Sequence, residues 1–126
     1  MNRPRDNRFV VLTLLMTLSG ILALAAALSA SRAPLQSERV VLENAKVRVI
    51  EYTSKPTGDV CGLGTHSHPA HLTVVLSAAR DRATTAGGTP EAGDMKVGDV
   101  YWSDGETHTD VNIGKSNSRV IVVEIK

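Results

Sequence analysis

Gly64-Thr65-His66-Ser67-His68-Pro69-Ala70-His71 carries three of the four histidines of this 126-residue chain. The fourth, His108, stands far downstream in Gly105-Glu106-Thr107-His108, with alternating apolar segments between the two clusters. Successive side chains on a strand point to opposite faces and residues two apart share one, so His66 and His68 face the same way. Neutral imidazole is the commonest protein ligand for metals, and two on one strand supply half a coordination sphere without a loop folding round the ion. Strict alternation would turn His71 away, but Pro69 cannot donate to a strand ladder and marks an edge or a bulge, where the phase resets. After the reset His71, Thr73 and Val75 share one face, and Leu72, Val74 and Leu76 the other. His66, His68, His71 and His108 are therefore the candidate ligands of one divalent metal ion. Imidazole serves Fe, Zn, Mn, Ni and Cu, so the residues leave the metal open.

Small residues in Cys61-Gly62-Leu63-Gly64 lead into the histidines and let the backbone pass close to neighbours or to a ligand. Upstream of them, Val40-Val41-Leu42 and Val47-Arg48-Val49-Ile50 read as two strands joined at Glu43-Asn44-Ala45, and Lys55-Pro56-Thr57-Gly58-Asp59 reads as a loop. Downstream, the apolar run Leu72 to Leu76 is a strand and Arg80 to Thr85 another. Ala86 to Gly93 reads as a turn region. Val97 to Trp102 and Thr109 to Ile113 are strands flanking a loop that carries His108. Ser118 to Ile125 closes the chain, with Ile121, Val123 and Ile125 on one face. Short strands punctuated by glycine and proline, with no helical period of useful length after the leader, predict an all-β sandwich or closed barrel.

The two histidine segments resemble the two motifs of the cupin superfamily. His66-x-His68, a third ligand position at His71 and the strand Leu72-Thr73-Val74-Val75-Leu76-Ser77 match the first motif, with His71 where a glutamate is usual and Ala78 where a closing glycine would stand. Gly98, Gly105, His108 and Asn112 match the second, with Ser103 in place of a proline and the spacing from Gly98 one residue short. The nearest resemblance is to short single-domain bacterial cupins, a group that includes proteins assigned to beta-alanine degradation. It covers Glu38 to Lys126. The resemblance implies a cupin-type double-stranded β-helix, a jelly-roll barrel, over residues 38–126. Barrels of this size leave interior for side chains or one small ligand, and there the four histidines would meet.

Residues 1–33 stand apart from that domain. Arg3, Arg5 and Arg8 precede an uncharged apolar run from Phe9 to Leu28, and Ala25, Ala27, Ser29 and Ala30 follow as small residues. This is the layout of a secretory signal peptide, which predicts a periplasmic or extracellular protein. The rival reading is an uncleaved leader helix anchoring the chain to the membrane through residues 9–28, because the run reaches the ~20 residues that span a bilayer.

The whole chain carries a formal +1. Four arginines and one aspartate lie in the leader, so the remainder is mildly acidic. That excludes a basic nucleic-acid footprint, and Tyr52, Tyr101 and Trp102, the only aromatic residues beyond the leader, form no stacking platform. Cys61, the one cysteine, forms no intramolecular disulfide and reads as a buried small residue or a free thiol. Counted by alternation from His66 it falls on the opposite face, outside the ligand set. Tyr101 and Trp102 read as core or interface residues. Asp104, Glu106 and Asp110 read as loop carboxylates, one of them a possible acceptor for a histidine ring N–H. Asn112 reads as structural.

Two functions follow. One is an enzyme in which imidazoles around a divalent ion leave positions for a small chelating substrate, giving oxygenase-like chemistry. The other is a non-catalytic cupin whose metal is structural, or whose pocket binds a small molecule for sensing or storage. Four bound imidazoles would saturate a tetrahedral ion, which counts against the first. Apolar alternation between Val40 and Ile50 suits edge pairing into a homodimer.

Overall fold

The computed structural model describes residues 33–126, in which nine strands run β1 (Gln36–Glu43), β2 (Val47–Ser54), β3 (His66–His68), β4 (His71–Ser77), β5 (Ala79–Thr85), β6 (Glu91–Met95), β7 (Val100–Ser103), β8 (Glu106–Asn112) and β9 (Ser118–Ile125). The leader expected at the N-terminus lies outside the described residues. Every strand pairing is antiparallel, in a five-stranded sheet ordered β1-β2-β9-β4-β7 and a four-stranded sheet ordered β3-β8-β5-β6. This is the all-β jelly-roll arrangement that the motifs imply.

The central strand β9 shows how the larger sheet is built. Its period of two buries Ser118, Val120, Val122 and Glu124 and leaves Ile121, Val123 and Ile125 on the outer face. Val120 and Val122 join Ile50 and Tyr52 of β2, Val75 of β4, Val60, Cys61 and Met95 in one buried cluster. Burying an aliphatic side chain of this size contributes roughly 1.5–3 kcal/mol, so these few residues carry much of the stability of a small domain.

The smaller sheet has a different inner face. Along β8 the buried positions are His108, Asp110 and Asn112. Asn112 is fully buried and structural: its amide donates to the carbonyls of Ser54 at 3.3 Å and Ser116 at 2.8 Å, and its Oδ1 accepts from Gly114 N at 3.0 Å.

At Pro69 the chain passes from β3 in one sheet to β4 in the other, so the phase change expected there is a change of sheet rather than a bulge within one. His71 and Val75 then turn inward while Leu76 stays exposed. The return passage, from β7 to β8, runs through Gly105 at φ 112°, a backbone state that L side chains rarely adopt.

β1 and β2 run longer than the expected Val40–Leu42 and Val47–Ile50, and three later strand starts depart from the sequence reading in ways that bear on the site. β6 begins at Glu91 inside the expected turn, because pairing of Glu91, Ala92 and Gly93 with Ala83, Arg82 and Asp81 recruits residues of low strand propensity. β7 begins only at Val100, since Lys96 to Asp99 closes a turn with Gly98 at φ 89°. β8 begins at Glu106 and takes His108 out of the expected loop into a strand, where it pairs with β3.

Candidate metal centre

The register between β3 and β8 sets the site. His66 lies directly opposite His108 and His68 opposite Glu106, so three imidazoles occupy one patch of the smaller sheet. The ring centroids of His66 lie 4.9 Å from His68 and 4.6 Å from His108. Each ring has an oxygen acceptor at Nδ1. His66 Nδ1–H donates to Gly64 O at 2.9 Å, and His68 Nδ1–H to Glu124 Oε1 at 2.8 Å. His108 Nδ1 faces Glu106 Oε1 at 3.2 Å. Carbonyl and carboxylate oxygens only accept, so in neutral His66 and His108 the proton sits on Nδ1 and Nε2 keeps its lone pair, whereas His68 has an oxygen acceptor at both ring nitrogens, Glu124 at Nδ1 and the Cys61 carbonyl at Nε2.

Those lone pairs converge. His66 Nε2 and His108 Nε2 stand 3.0 Å apart. Two nitrogens ~2.0–2.1 Å from one ion stand about 3 Å from each other, so this spacing suits a shared cation. A proton between the rings is the competing way to relieve the repulsion, and it is disfavoured. Burial is the first cause holding His108 below the ordinary histidine range, with His66 and His68 adding to it, although Glu106 pulls the other way.

Cys61 joins the cluster, which alternation did not foresee. Its Sγ lies 3.5 Å from His66 Nε2 and 3.3 Å from His108 Nε2, and one ligand atom from each of Cys61, His66, His68 and His108 fits within 4.8 Å of the others. The residue is buried and free, and burial pushes its thiol well up from the ordinary range. Counting faces fails here because residues 61–64 are not a strand and Gly64 sits at φ 56°, which turns the chain between Cys61 and His66. Gly62 has a separate role: a Cβ there would lie 2.5 Å from His66 Cδ2, so only glycine leaves the ring its place.

His71 stands beside this group rather than among those four. Its Nδ1–H donates to Pro69 O at 2.8 Å, its Nε2 lies 3.9 Å from Glu106 Oε1, and its ring centroid lies 4.9 Å from that of His68. Glu106 Oε1 thus faces both His71 and His108. His68 Nε2 lies 3.1 Å from the Cys61 carbonyl oxygen, so that ring faces the same small space as the thiol. Of the carboxylates near His108, Asp104 is a surface group that accepts from Trp102 Nε1, whereas Asp110 is buried. The hydrogen bond between Glu124 and the His68 ring had no local signal, because Glu124 lies 56 residues from His68 and reaches it only through the pairing of β9 with β4.

A cavity of about 400 Å3 opens beside the cluster, lined by Cys61, His71 and His108 together with Asp81, Asp110 and Trp102. Burial, reinforced by Asp81, pushes the Asp110 carboxyl up to about 7. Asp81 is also raised, first by its own burial.

No family model matches the chain, and no curated protein does. Solved structures do. A cupin domain from Bordetella pertussis Tohama I is 22% identical, with a TM-score of 0.66 over 77% of this chain and 99% of that one. A cupin superfamily protein from Desulfitobacterium hafniense DCB-2 is 14% identical, with a TM-score of 0.57 over 79% and 85%. The polyketide cyclase RemF from Streptomyces resistomycificus is 20% identical, with a TM-score of 0.56 over 75% and 69%. The strand order, the two motifs and these likenesses agree that the described part of the chain has the fold of the cupin superfamily.

Proposed function

We propose that the protein is a metal-binding cupin in which His66, His68 and His108 hold a divalent ion, with Cys61 as a fourth donor and His71 acting through Glu106. The observation that carries this reading is the convergence of the His66 and His108 Nε2 lone pairs, whose Nδ1 protons are already committed to oxygen acceptors, with the His68 ring and the Cys61 thiol beside them. A mixed nitrogen and sulfur set suits zinc, iron or copper better than the hard ions that prefer oxygen. A bound ion of this kind supplies Lewis acidity, and iron or copper also supplies oxygen chemistry. Around it the chain's own groups orient and exclude: Glu124 and Gly64 O fix two rings, Glu106 fixes a third, and the cavity admits a small molecule to the Cys61 and His108 side. Oxygenase-like activation of a small chelating substrate is the enzymatic form of this reading, and a polyketide cyclase of the same fold supports the idea that such a barrel can house chemistry on an organic molecule. The expected leader would put that activity outside the cytoplasm.

A second reading has an observation of its own. Three imidazoles and a thiolate fill a tetrahedral ion, which is how structural zinc is held. Elemental analysis of protein purified without chelator tests both readings. About one divalent ion per chain is expected, and His66→Ala combined with His68→Ala should abolish it while the strand spectrum persists. Folded wild-type protein that stays metal-free in metal-replete medium would remove both. Tenfold or greater loss of affinity in Cys61→Ser favours the closed, structural site, whereas an unchanged affinity leaves a position open for substrate.

A further inference from the structure

The cavity beside the cluster is acidic. Asp81, Glu91, Asp94, Glu106 and Asp110 line it, and among the described residues no lysine or arginine does. Two of the five have partners: Asp94 accepts from the Arg80 guanidinium at 2.8 Å, and Glu106 Oε1 faces His108 Nδ1. The deep pair has none of that kind. Asp81 on β5 and Asp110 on β8 are inward residues of adjacent strands, with their carboxyls within hydrogen-bonding reach of each other. Asp110 is nine-tenths buried, and no donor among the described residues reaches its Oδ1.

Buried polar groups are almost always satisfied, so a nine-tenths-buried carboxyl that lines a cavity and receives no hydrogen bond from a described donor asks for one from what the cavity holds. Three occupants supply positive charge there. A proton shared by the pair answers one contact and leaves the rest of the space unexplained. A Mg2+ or Ca2+ ion wants six or more oxygens in a regular shell, whereas Val60, Ala83 and Met95 surround this pair with apolar surface. An alkylammonium group fits better. It brings two or three N–H donors on a compact charge and an apolar stem, and the Trp102 and Tyr101 rings that also line the cavity attract cations through their faces.

We propose that the cavity binds a small molecule bearing a primary or secondary ammonium group, its N–H groups donating to Asp81 and Asp110 and its other end directed toward Cys61 and His108. This deepens the reading above, on which the cavity beside the metal cluster is the ligand site. A chelating group at the far end of the same molecule would meet the ion while the ammonium is held by the acidic wall.

Titration calorimetry of the full chain with n-butylammonium, n-butanol and butyrate tests it, on wild type, Asp110→Asn, Asp81→Asn and EDTA-stripped wild type. Butylammonium should bind at least tenfold more tightly than butanol, and butyrate should not bind. Asp110→Asn should erase that preference while metal content and the circular dichroism spectrum stay as in wild type; should that variant fail to fold, Asp81→Asn carries the same expectation. Equal binding of butanol or butyrate overturns the proposal, and so does a folded variant that keeps the preference. Competitive displacement of butylammonium by millimolar MgCl2 would overturn it too, by assigning the pair to a divalent ion. EDTA-stripped protein should retain the preference. Retention with no metal in the native protein sinks the metal reading alone, whereas a native metal with no ammonium preference sinks this inference alone.

Discussion

Inward from the five-stranded sheet come Ile50, Tyr52, Val75, Val120 and Val122, whereas the four-stranded sheet turns His68, His108, Asp110 and Asn112 to the same interior. The larger sheet buries polar groups too, Ser54 and Ser118 among them, and two of these, His71 and Glu124, are cross-strand partners that face the other histidines. One wall excludes water and favours folding; the other is costly to bury unless each group finds a partner. The two walls therefore divide stability from chemistry. The histidine Nδ1 atoms all have oxygen partners, whereas Asp110 Oδ1 on the smaller sheet and Gln36 Nε2 and Ser118 Oγ on the larger have none among the described residues.

The division breaks first on the apolar wall. Ile50→Ala removes a side chain with no exposed surface and should cost about 2–5 kcal/mol in urea unfolding. The folded fraction should keep the metal stoichiometry of wild type. Loss of metal from protein that is still folded would show that the apolar wall also shapes the site.

A smaller effect, opposite in sign, is expected from the polar wall. Asp110 has a folded pKa of about 7 against 3.8 for an unperturbed carboxyl, so between those values the folded state holds the more protons. Its contribution to stability therefore falls as pH rises from about 4 to 7. Asp110→Asn removes this penalty: its melting temperature should match wild type near pH 4 and exceed it above pH 7. The gain is bounded at about 4 kcal/mol, because each tenfold change in proton affinity is worth about 1.4 kcal/mol. Asp81 titrates with it, so the midpoint belongs to the pair. A gap in melting temperature that ignores pH would remove the burial argument.

The smallest change sharpens the boundary between the walls. Gly62→Ala sets a methyl group against the His66 ring, and its expected signature is a roughly tenfold loss of metal affinity in chelator competition. That equals about 1.4 kcal/mol at the site, with global stability altered by less than ~1 kcal/mol. Unchanged affinity would mean that the ring of His66 is dispensable.

Much of the barrel was readable along the chain. Alternation in β4 and β9 and the glycine and proline punctuation gave strands near their observed places, and the two motifs named the jelly roll. The misread turn at Ala86 to Gly93 is instructive: Glu91, Ala92 and Gly93 form a strand because β5 offers them a partner, a preference their own side chains do not express. The candidate site was partly readable for the same reason. His66 and His68 share a face by a rule that acts over two residues. Cys61 lies beyond the reach of that rule, on a segment bent at Gly64.

By itself the amino-acid order determined the all-β class, the change of phase at Pro69 and the identity of four imidazoles, because strand alternation and proline's missing N–H are local properties of the backbone. Only the tertiary structure decided that Cys61 sits against His66 and His108, that Glu124 and Glu106 hold ring protons, and that Asp110 faces Asp81 without a donor. Those relations depend on strand register and on which sheet each strand joins, and pairing between residues dozens of positions apart has no signature in either one alone.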